Sequence, residues 1–167
     1  KPLFVPVPKN YEINWYRWAG NDRLLISYGI LRKYGRDDLY FTRLFVCDVS
    51  RYAVQGLGLK HGDFQGDDVV YVADDGSCIL LSESRYFLSV PAVYRVDLAT
   101  GEMKRIVPET PPIISWSADR NGVVRVGLGY IDERLKVIYR EADNKEFETI
   151  ARLKVVDEDS DVAKLKF

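Results

Sequence analysis

One strand–turn–strand pattern recurs three times along this chain, and this recurrence constrains the fold more than any other feature. The copies occupy residues 18–27, 72–82 and 116–126. In each copy a strand-like stretch ends in a turn rich in Asp, Asn and Gly, and an apolar run follows. A recurring unit cannot bury its apolar faces alone, so the pattern predicts a repeat architecture in which neighbouring copies pack together.

Each copy continues into further strand-like stretches. The third stretch ends on an acidic residue, which is Asp48, Asp97 or Glu141 in the three copies. A turn follows, and fourth stretches occupy residues 103–107 and 147–151. An aspartate before a turn can accept hydrogen bonds from the backbone that follows it, which accounts for Asp48 and Asp97 without a ligand.

The spacing of the copies is typical of the blades of a β-propeller. Val72 lies 54 residues after Trp18, and Trp116 lies 44 residues after Val72. Four short strands in about 40–45 residues make one such blade. The longer first interval is ascribed to a charged, glycine-containing loop at residues 33–39.

We therefore predict an all-β fold, a partial β-propeller of about three four-stranded antiparallel blades plus the start of another. The whole chain, residues 1–167, forms a single propeller segment in this interpretation. Its blade-like units cover about residues 11–60, 66–110 and 111–153, and residues 154–167 begin the next blade. The expected strands are 13–18, 23–30, 39–48, 68–73, 78–83, 92–98, 103–107, 113–118, 123–129, 135–141 and 146–152.

Composition restricts the class of partner. The 167 residues are 47% hydrophobic and carry a formal net charge of -1, with 11 Tyr, 7 Phe and 3 Trp. Aromatic and β-branched residues favour strands. A nucleic-acid partner is not expected, because phosphate binding usually shows as a basic surplus. A membrane span is not expected either, because no apolar run reaches the roughly 18–20 residues that a bilayer requires.

Cysteine and histidine are too few to indicate a metal site. Cys47 and Cys78 are the only cysteines and His61 is the only histidine. Each cysteine adjoins an apolar run, so we favour two small buried hydrophobic side chains over a disulfide. A Ser/His/Asp triad would have to use His61, for which we favour an ordinary loop position.

Three alternating aspartates near the end of the chain have the spacing of a calcium loop. They are Asp157, Asp159 and Asp161, but Val162 stands where such a loop needs a glycine. We favour a solvated connection between blades and expect neither a metal nor a cofactor. The tryptophans Trp15, Trp18 and Trp116 could stack on a ligand; at strand positions inside repeats, we favour core anchors.

Residues 73–82 resemble the "S-P-D-G-x-x-I-x-F-x-S" hairpin of TolB-like propeller repeats. The order of short sequence segments (stations) along the chain also resembles that in the propeller of a bacterial prolyl-oligopeptidase-type serine peptidase. The resembling stations are residues 15–25, 68–71, 91–101, 116–125 and 139–140, and together they extend over about residues 10–152.

In that family a propeller of seven or eight blades caps an α/β-hydrolase domain, hinders folded proteins and admits short peptides. The hydrolase domain carries the catalytic Ser, Asp and His. This chain contains neither a G-x-S-x-G elbow nor an alternation of strands and helices. We therefore expect no catalytic residue in it and interpret it as part of a longer protein.

The resemblance implies a non-catalytic propeller segment that gates peptide access and packs on a hydrolase domain absent from this chain. Its implied partners are the C-terminal α/β-hydrolase domain of the parent protein and the parent's peptide substrate. It also implies a bacterial protein, either periplasmic or cytoplasmic, with the periplasm favoured. The alternatives are a TolB-like binding module for a protein or a glycan, and a free-standing all-β enzyme.

One residue is implied as a substrate contact. Arg85 lies in the link between the second and third strands of the middle unit. In the resembling peptidases, propeller loops reach towards the amino end of the peptide, which implies such a contact for Arg85. An ordinary exposed loop arginine is the alternative.

A homodimer is a further expectation. Three blades and a remnant would leave two open sheet faces, and two copies would together supply six to seven blades.

Overall fold

The computed structural model describes residues 5, 7–58 and 64–154, and within them it consists of strands and connections without a helix. The strands in chain order are β1 (Glu12–Ala19), β2 (Arg23–Tyr34), β3 (Asp37–Asp48), β4 (Ala53–Gly56), β5 (Asp68–Val72), β6 (Cys78–Glu83), β7 (Ala92–Asp97), β8 (Met103–Val107), β9 (Ile113–Ala118), β10 (Val124–Ile131), β11 (Arg134–Tyr139) and β12 (Glu148–Lys154).

The described strands form three antiparallel sheets of four strands each. Sheet 1 has the order β1-β2-β3-β4, sheet 2 the order β5-β6-β7-β8, and sheet 3 the order β9-β10-β11-β12. Consecutive strands pair within every sheet, so each sheet is a simple meander. The all-β prediction and the four-stranded antiparallel units are thereby confirmed.

The middle sheet is buried on both of its faces. All six residues of β6 are buried, and its three apolar residues from Ile79 to Leu81 alternate between two hydrophobic clusters. Ile79 and Leu81 pack with Leu25 and Leu44 of sheet 1, whereas Leu80 packs in a second cluster with residues of sheet 3 such as Trp116. Because successive side chains point to opposite faces of a strand, the continuous apolar run of β6 is what a sheet between two neighbours requires.

Equivalent glycines close the first turn of each sheet. Gly20, Gly76 and Gly122 have φ values of 65°, 67° and 74°, a region that glycine enters without steric cost. A side chain on Gly20 would lie 2.9 Å from the carbonyl oxygen of Asp75, so the first turns of sheets 1 and 2 press against each other. Arg23 bridges the same junction through an Nη1–H that donates to the Gly76 carbonyl at 2.9 Å.

The extra residues of the first unit form strands, so the prediction of a loop at residues 33–39 was wrong. β2 and β3 have 12 residues each, against 6 each for β6 and β7. Lys33 pairs with Asp38 and Tyr34 with Asp37, which leaves Gly35 and Arg36 as a two-residue turn. Gly35 has a φ of 65°, as the first central residue of a type II′ hairpin turn does.

The tryptophans differ in burial. Trp116 is 3% exposed and Trp15 packs at the edge of the cluster between sheets 1 and 2, as predicted for core anchors. Trp18 is 59% exposed, so its assignment to the core was wrong. The neighbouring Ala19 is buried, and the alternation of a strand then directs Trp18 to the opposite face.

Other local predictions are confirmed. Cys47 and Cys78 are both buried and free. The Asp97 carboxylate accepts hydrogen bonds from the Ala99 and Thr100 amides at 2.9 and 2.8 Å, and Asp48 accepts one from the Arg51 amide at 3.0 Å. The fourth strand of the first unit, β4, was not predicted, because its four exposed residues carry no alternation of apolar and polar side chains.

Candidate functional site

The link between β6 and β7 places Arg85 on the surface, at one end of sheet 2. This loop, residues 84–91, is organised by Ser89, whose hydroxyl donates to the Tyr86 carbonyl at 2.7 Å. Ser84 in turn donates to the Ser89 carbonyl at 2.8 Å. Arg85 is exposed, and the nearby phenols of Tyr94 and Tyr86 raise the pKa of its guanidinium further. Arg85 is therefore a cation at neutral pH.

Beside this loop lies an open cavity of about 250 Å³. Its apolar wall includes Phe64, Leu88 and Ile114, and its polar wall includes Asp68, Ser82 and Glu83. The cavity thus joins the end of sheet 2 to the linker from sheet 1 and to the first strand of sheet 3. Arg85 does not line the cavity, although other residues of its loop do.

The polar wall of the cavity is acidic. Asp68 is exposed towards solvent, yet the protein atoms around its carboxyl raise its pKa by desolvation. The hydroxyl of Ser82, its partner across β5 and β6, opposes that shift, and the charge of Asp67 adds to it. Glu83 is only 2% exposed. The lining of the cavity therefore combines carboxylates with apolar side chains.

Asp67, the neighbour of Asp68 in the chain, accepts four side-chain hydrogen bonds, and nothing in the sequence singles it out. Its Oδ2 accepts from the Trp15 indole at 2.8 Å, from the Ser27 hydroxyl at 2.6 Å and from the Asn14 amide at 3.1 Å. Its Oδ1 accepts from the Thr42 hydroxyl. All four donors belong to sheet 1, so Asp67 ties the linker before sheet 2 to the sheet before it.

A β-bulge in β1 makes this convergence possible. The register with β2 shifts between Ile13 and Trp15, which brings both Asn14 and Trp15 to Asp67. A bulge adds one residue to one strand and re-aims its side chains. No sequence signal marks the bulge, and the partners of Asp67 lie 25 to 53 residues away along the chain.

The described residues do not assemble a catalytic centre that we can identify. Serine hydroxyls lie in the cavity wall, and His61, the only histidine of the chain, lies outside the described residues. Asp157, Asp159 and Asp161 also lie outside them. Among the residues that the structure describes, no group of three or more His, Cys, Asp or Glu could hold a metal ion, and no helix could cross a membrane.

Comparison with known proteins does not assign a family. None of the known family models matches the chain, and no curated protein shows significant similarity to it.

Proposed function

We propose that this chain is a non-catalytic β-propeller segment of a prolyl-oligopeptidase-type serine peptidase. In the parent protein it gates peptide access and packs on an α/β-hydrolase domain. Peptides approach the end of sheet 2 at which the 84–91 loop and the cavity lie, and Arg85 is the residue through which that loop contacts them.

The observation that carries this proposal is the succession of three four-stranded meanders packed face to face. Sheets 1 and 2 share one hydrophobic cluster and sheets 2 and 3 share another, while first strands of adjacent sheets, β5 and β9, contact each other. Face-to-face packing of successive meanders is the local geometry of propeller blades. The order of motifs described above supplies the link to the peptidase family.

The reading frame that encodes this chain tests the assignment. We expect it to encode, after these residues, a G-x-S-x-G elbow followed by Asp and His in an α/β-hydrolase pattern. A stop codon directly after the last strand-rich unit would contradict the peptidase assignment and favour a TolB-like module that binds a protein or a glycan.

We expect the chain by itself to hydrolyse neither peptides nor esters. It contains no nucleophile elbow. Because the elbow supplies part of the oxyanion hole, we do not expect an oxyanion hole in this chain either. The measurement is release of a chromogenic amine or alcohol at high protein concentration. Turnover that disappears in His61→Ala would contradict the proposal and reveal a triad in this chain.

The role of Arg85 is tested in the protein encoded by the complete reading frame. Arg85→Ala should raise KM for peptides roughly three- to tenfold, as loss of a charged hydrogen bond at an exposed site would, with little change in kcat. Hydrolysis of a small ester that does not reach the propeller should be unchanged. Arg51→Ala is the control, because that side chain is 72% exposed in the turn before β4. Equal effects of the two substitutions would exclude a contact specific to Arg85.

A further inference from the structure

The β2–β3 hairpin extends well beyond its own sheet. β1 pairs with β2 no further than Gly29, and β4 pairs with β3 only from Phe45 to Asp48. The part of the hairpin from residue 30 to residue 41 therefore has no neighbouring strand of sheet 1 on either side among the described residues. A hairpin of two strands is marginally stable by itself, so this extension depends on contacts elsewhere.

Arg32 and Tyr40 join the extension to Tyr11 and Glu12 at the start of β1, and the tip makes further contacts next to the cavity. Tyr34, the last residue of β2, has its ring centroid 4.7 Å from that of Phe87 in the 84–91 loop. Phe87 lies 5.9 Å from Phe64 in the linker, and Phe64 lies 6.4 Å from Phe41 of β3. All three separations are within the range in which aromatic pairs attract each other. The four rings form a continuous path from hairpin tip to loop, to linker and back to the hairpin.

Hydrogen bonds fasten the linker to the same hairpin. The Thr42 amide donates to the Phe64 carbonyl at 2.7 Å, and the Gly66 amide donates to the Thr42 hydroxyl at 3.1 Å. Phe64 is thus held on β3 by backbone bonding, and its ring is presented to Phe87. The linker side of the ring path is therefore anchored to β3.

The 84–91 loop has less support of its own. One end of the loop is fixed from sheet 3, because the Trp116 indole donates to the Pro91 carbonyl at 3.0 Å. The hydrogen bonds within residues 84–89 are local ones around Ser89, and Leu88 adopts a left-handed φ of 60° with 79% of its surface exposed. A stretch whose hydrogen bonds are local and whose apolar side chains are exposed, such as residues 85–89, opens at low free-energy cost. The contact between Phe87 and Tyr34 therefore strongly affects how often this loop opens.

We propose that the extended tip of the β2–β3 hairpin is a brace: through the Tyr34–Phe87 contact it holds the 84–91 loop, and with it the outer wall of the cavity, in one position. The brace belongs to sheet 1 and the loop to sheet 2, so the shape of the cavity is set by the neighbouring sheet as well as by its own. This inference rests on the fold and does not depend on which ligand the cavity takes.

Hydrogen exchange read by mass spectrometry tests the brace. In Tyr34→Ala, the amides of residues 84–91 should exchange about two- to tenfold faster, the factor that corresponds to one aromatic pair. Tyr34→Phe keeps the ring and should exchange like the unaltered chain. Tyr130→Ala is the matched control, since that tyrosine is 54% exposed near the end of β10, at the corresponding hairpin of sheet 3.

A reciprocal experiment tests the same coupling from the other side. Phe87→Ala should accelerate exchange at the hairpin tip, residues 31–38, by a similar factor. Unchanged exchange of the loop in Tyr34→Ala, or equal acceleration in Tyr130→Ala, would overturn the proposal. A uniform rise in exchange across all three sheets in Tyr34→Ala would overturn it as well, because the hairpin would then support the whole fold and not this loop.

Discussion

Removing the Asp67 carboxylate tests how the linker joins sheets 1 and 2. Asp67→Ala deletes the shared acceptor of four donors, and two of these belong to buried residues: Ser27 is 0% exposed and Thr42 is 6% exposed. Leaving a buried donor unsatisfied costs about 1–3 kcal/mol for each group. The Trp15 indole also loses its acceptor, but it lies in an open groove that water can enter.

We therefore expect Asp67→Ala to lower the free energy of unfolding by about 2–4 kcal/mol, because hydroxyl rotation and water recover part of the loss. Asp67→Asn keeps one acceptor atom, and the Thr42 hydroxyl can accept from the new amide. Its expected cost is smaller, about 1 kcal/mol. Both substitutions remove the negative charge, but only Asp67→Asn keeps an acceptor oxygen. A larger loss of unfolding free energy in Asp67→Ala than in Asp67→Asn therefore reports the loss of the acceptor.

Urea unfolding at one fixed, dilute protein concentration measures both variants. Asp74→Ala is the control, because this acid is exposed in the turn before β6 and its removal should change the free energy by no more than about 0.5 kcal/mol. An unchanged m-value would show that the comparison concerns the folded state. A loss below about 1 kcal/mol for Asp67→Ala, or a loss equal to that of the control, would refute the argument.

Three further predictions follow from the packing, the turns and the open sheet faces. Trp116→Ala should lower the free energy of unfolding by roughly 3–5 kcal/mol, because the indole is buried and its Nε1–H donates to the Pro91 carbonyl at 3.0 Å; a change under about 1 kcal/mol in urea unfolding would contradict a core role. Backbone and hydroxyl hydrogen bonds from Thr100 lower the pKa of Asp97. A carboxyl group whose pKa is lowered by folding stabilises the fold at pH values above its pKa in the unfolded state, near 3.9. This contribution is lost as the pH falls through the pKa of the folded state. Stability should therefore decline below about pH 4, and Asp97→Asn should flatten the decline in pH-dependent urea titrations; an unaltered slope would contradict the assignment. Burial of exposed apolar side chains at about 25 cal/mol per Å² should also make the chain self-associate, most simply as a two-fold dimer, and a compact monomer in sedimentation at micromolar concentration would contradict this.

Local features of the fold could be predicted from the sequence because their causes are local. The turn aspartates Asp48 and Asp97 accept hydrogen bonds from residues within three positions of themselves. Gly76 occupies a turn that glycine enters without strain, and the apolar run of β6 specifies a strand covered on both faces. Strand positions, turn chemistry and the all-β class follow from such short-range patterns.

The predictions failed where the outcome depends on contacts between distant parts of the chain. Trp18 is a tryptophan at a strand position inside a repeat, as a core anchor would be. The register and bulge of β1 nevertheless decide which face of the sheet it occupies. Residues 33–39 are rich in charge, yet all of them except the turn residues Gly35 and Arg36 form strands. They do so because each has a partner across the hairpin, and because Tyr34 at the tip packs on Phe87 in the next sheet. Register and pairing of this kind are set by the whole sheet and not by the segment.

The sequence by itself determined that this chain forms repeated four-stranded meanders, because alternation of apolar residues and turn chemistry act over a few residues. Only the tertiary structure decided that Asp67 collects four donors from sheet 1 and that Tyr34 reaches the 84–91 loop of sheet 2. The physical reason is distance along the chain: Trp15 and Asp67 are 52 residues apart in sequence and 2.8 Å apart in space. A contact of that separation has no local signature, since it arises only when the packed sheets bring the two groups together.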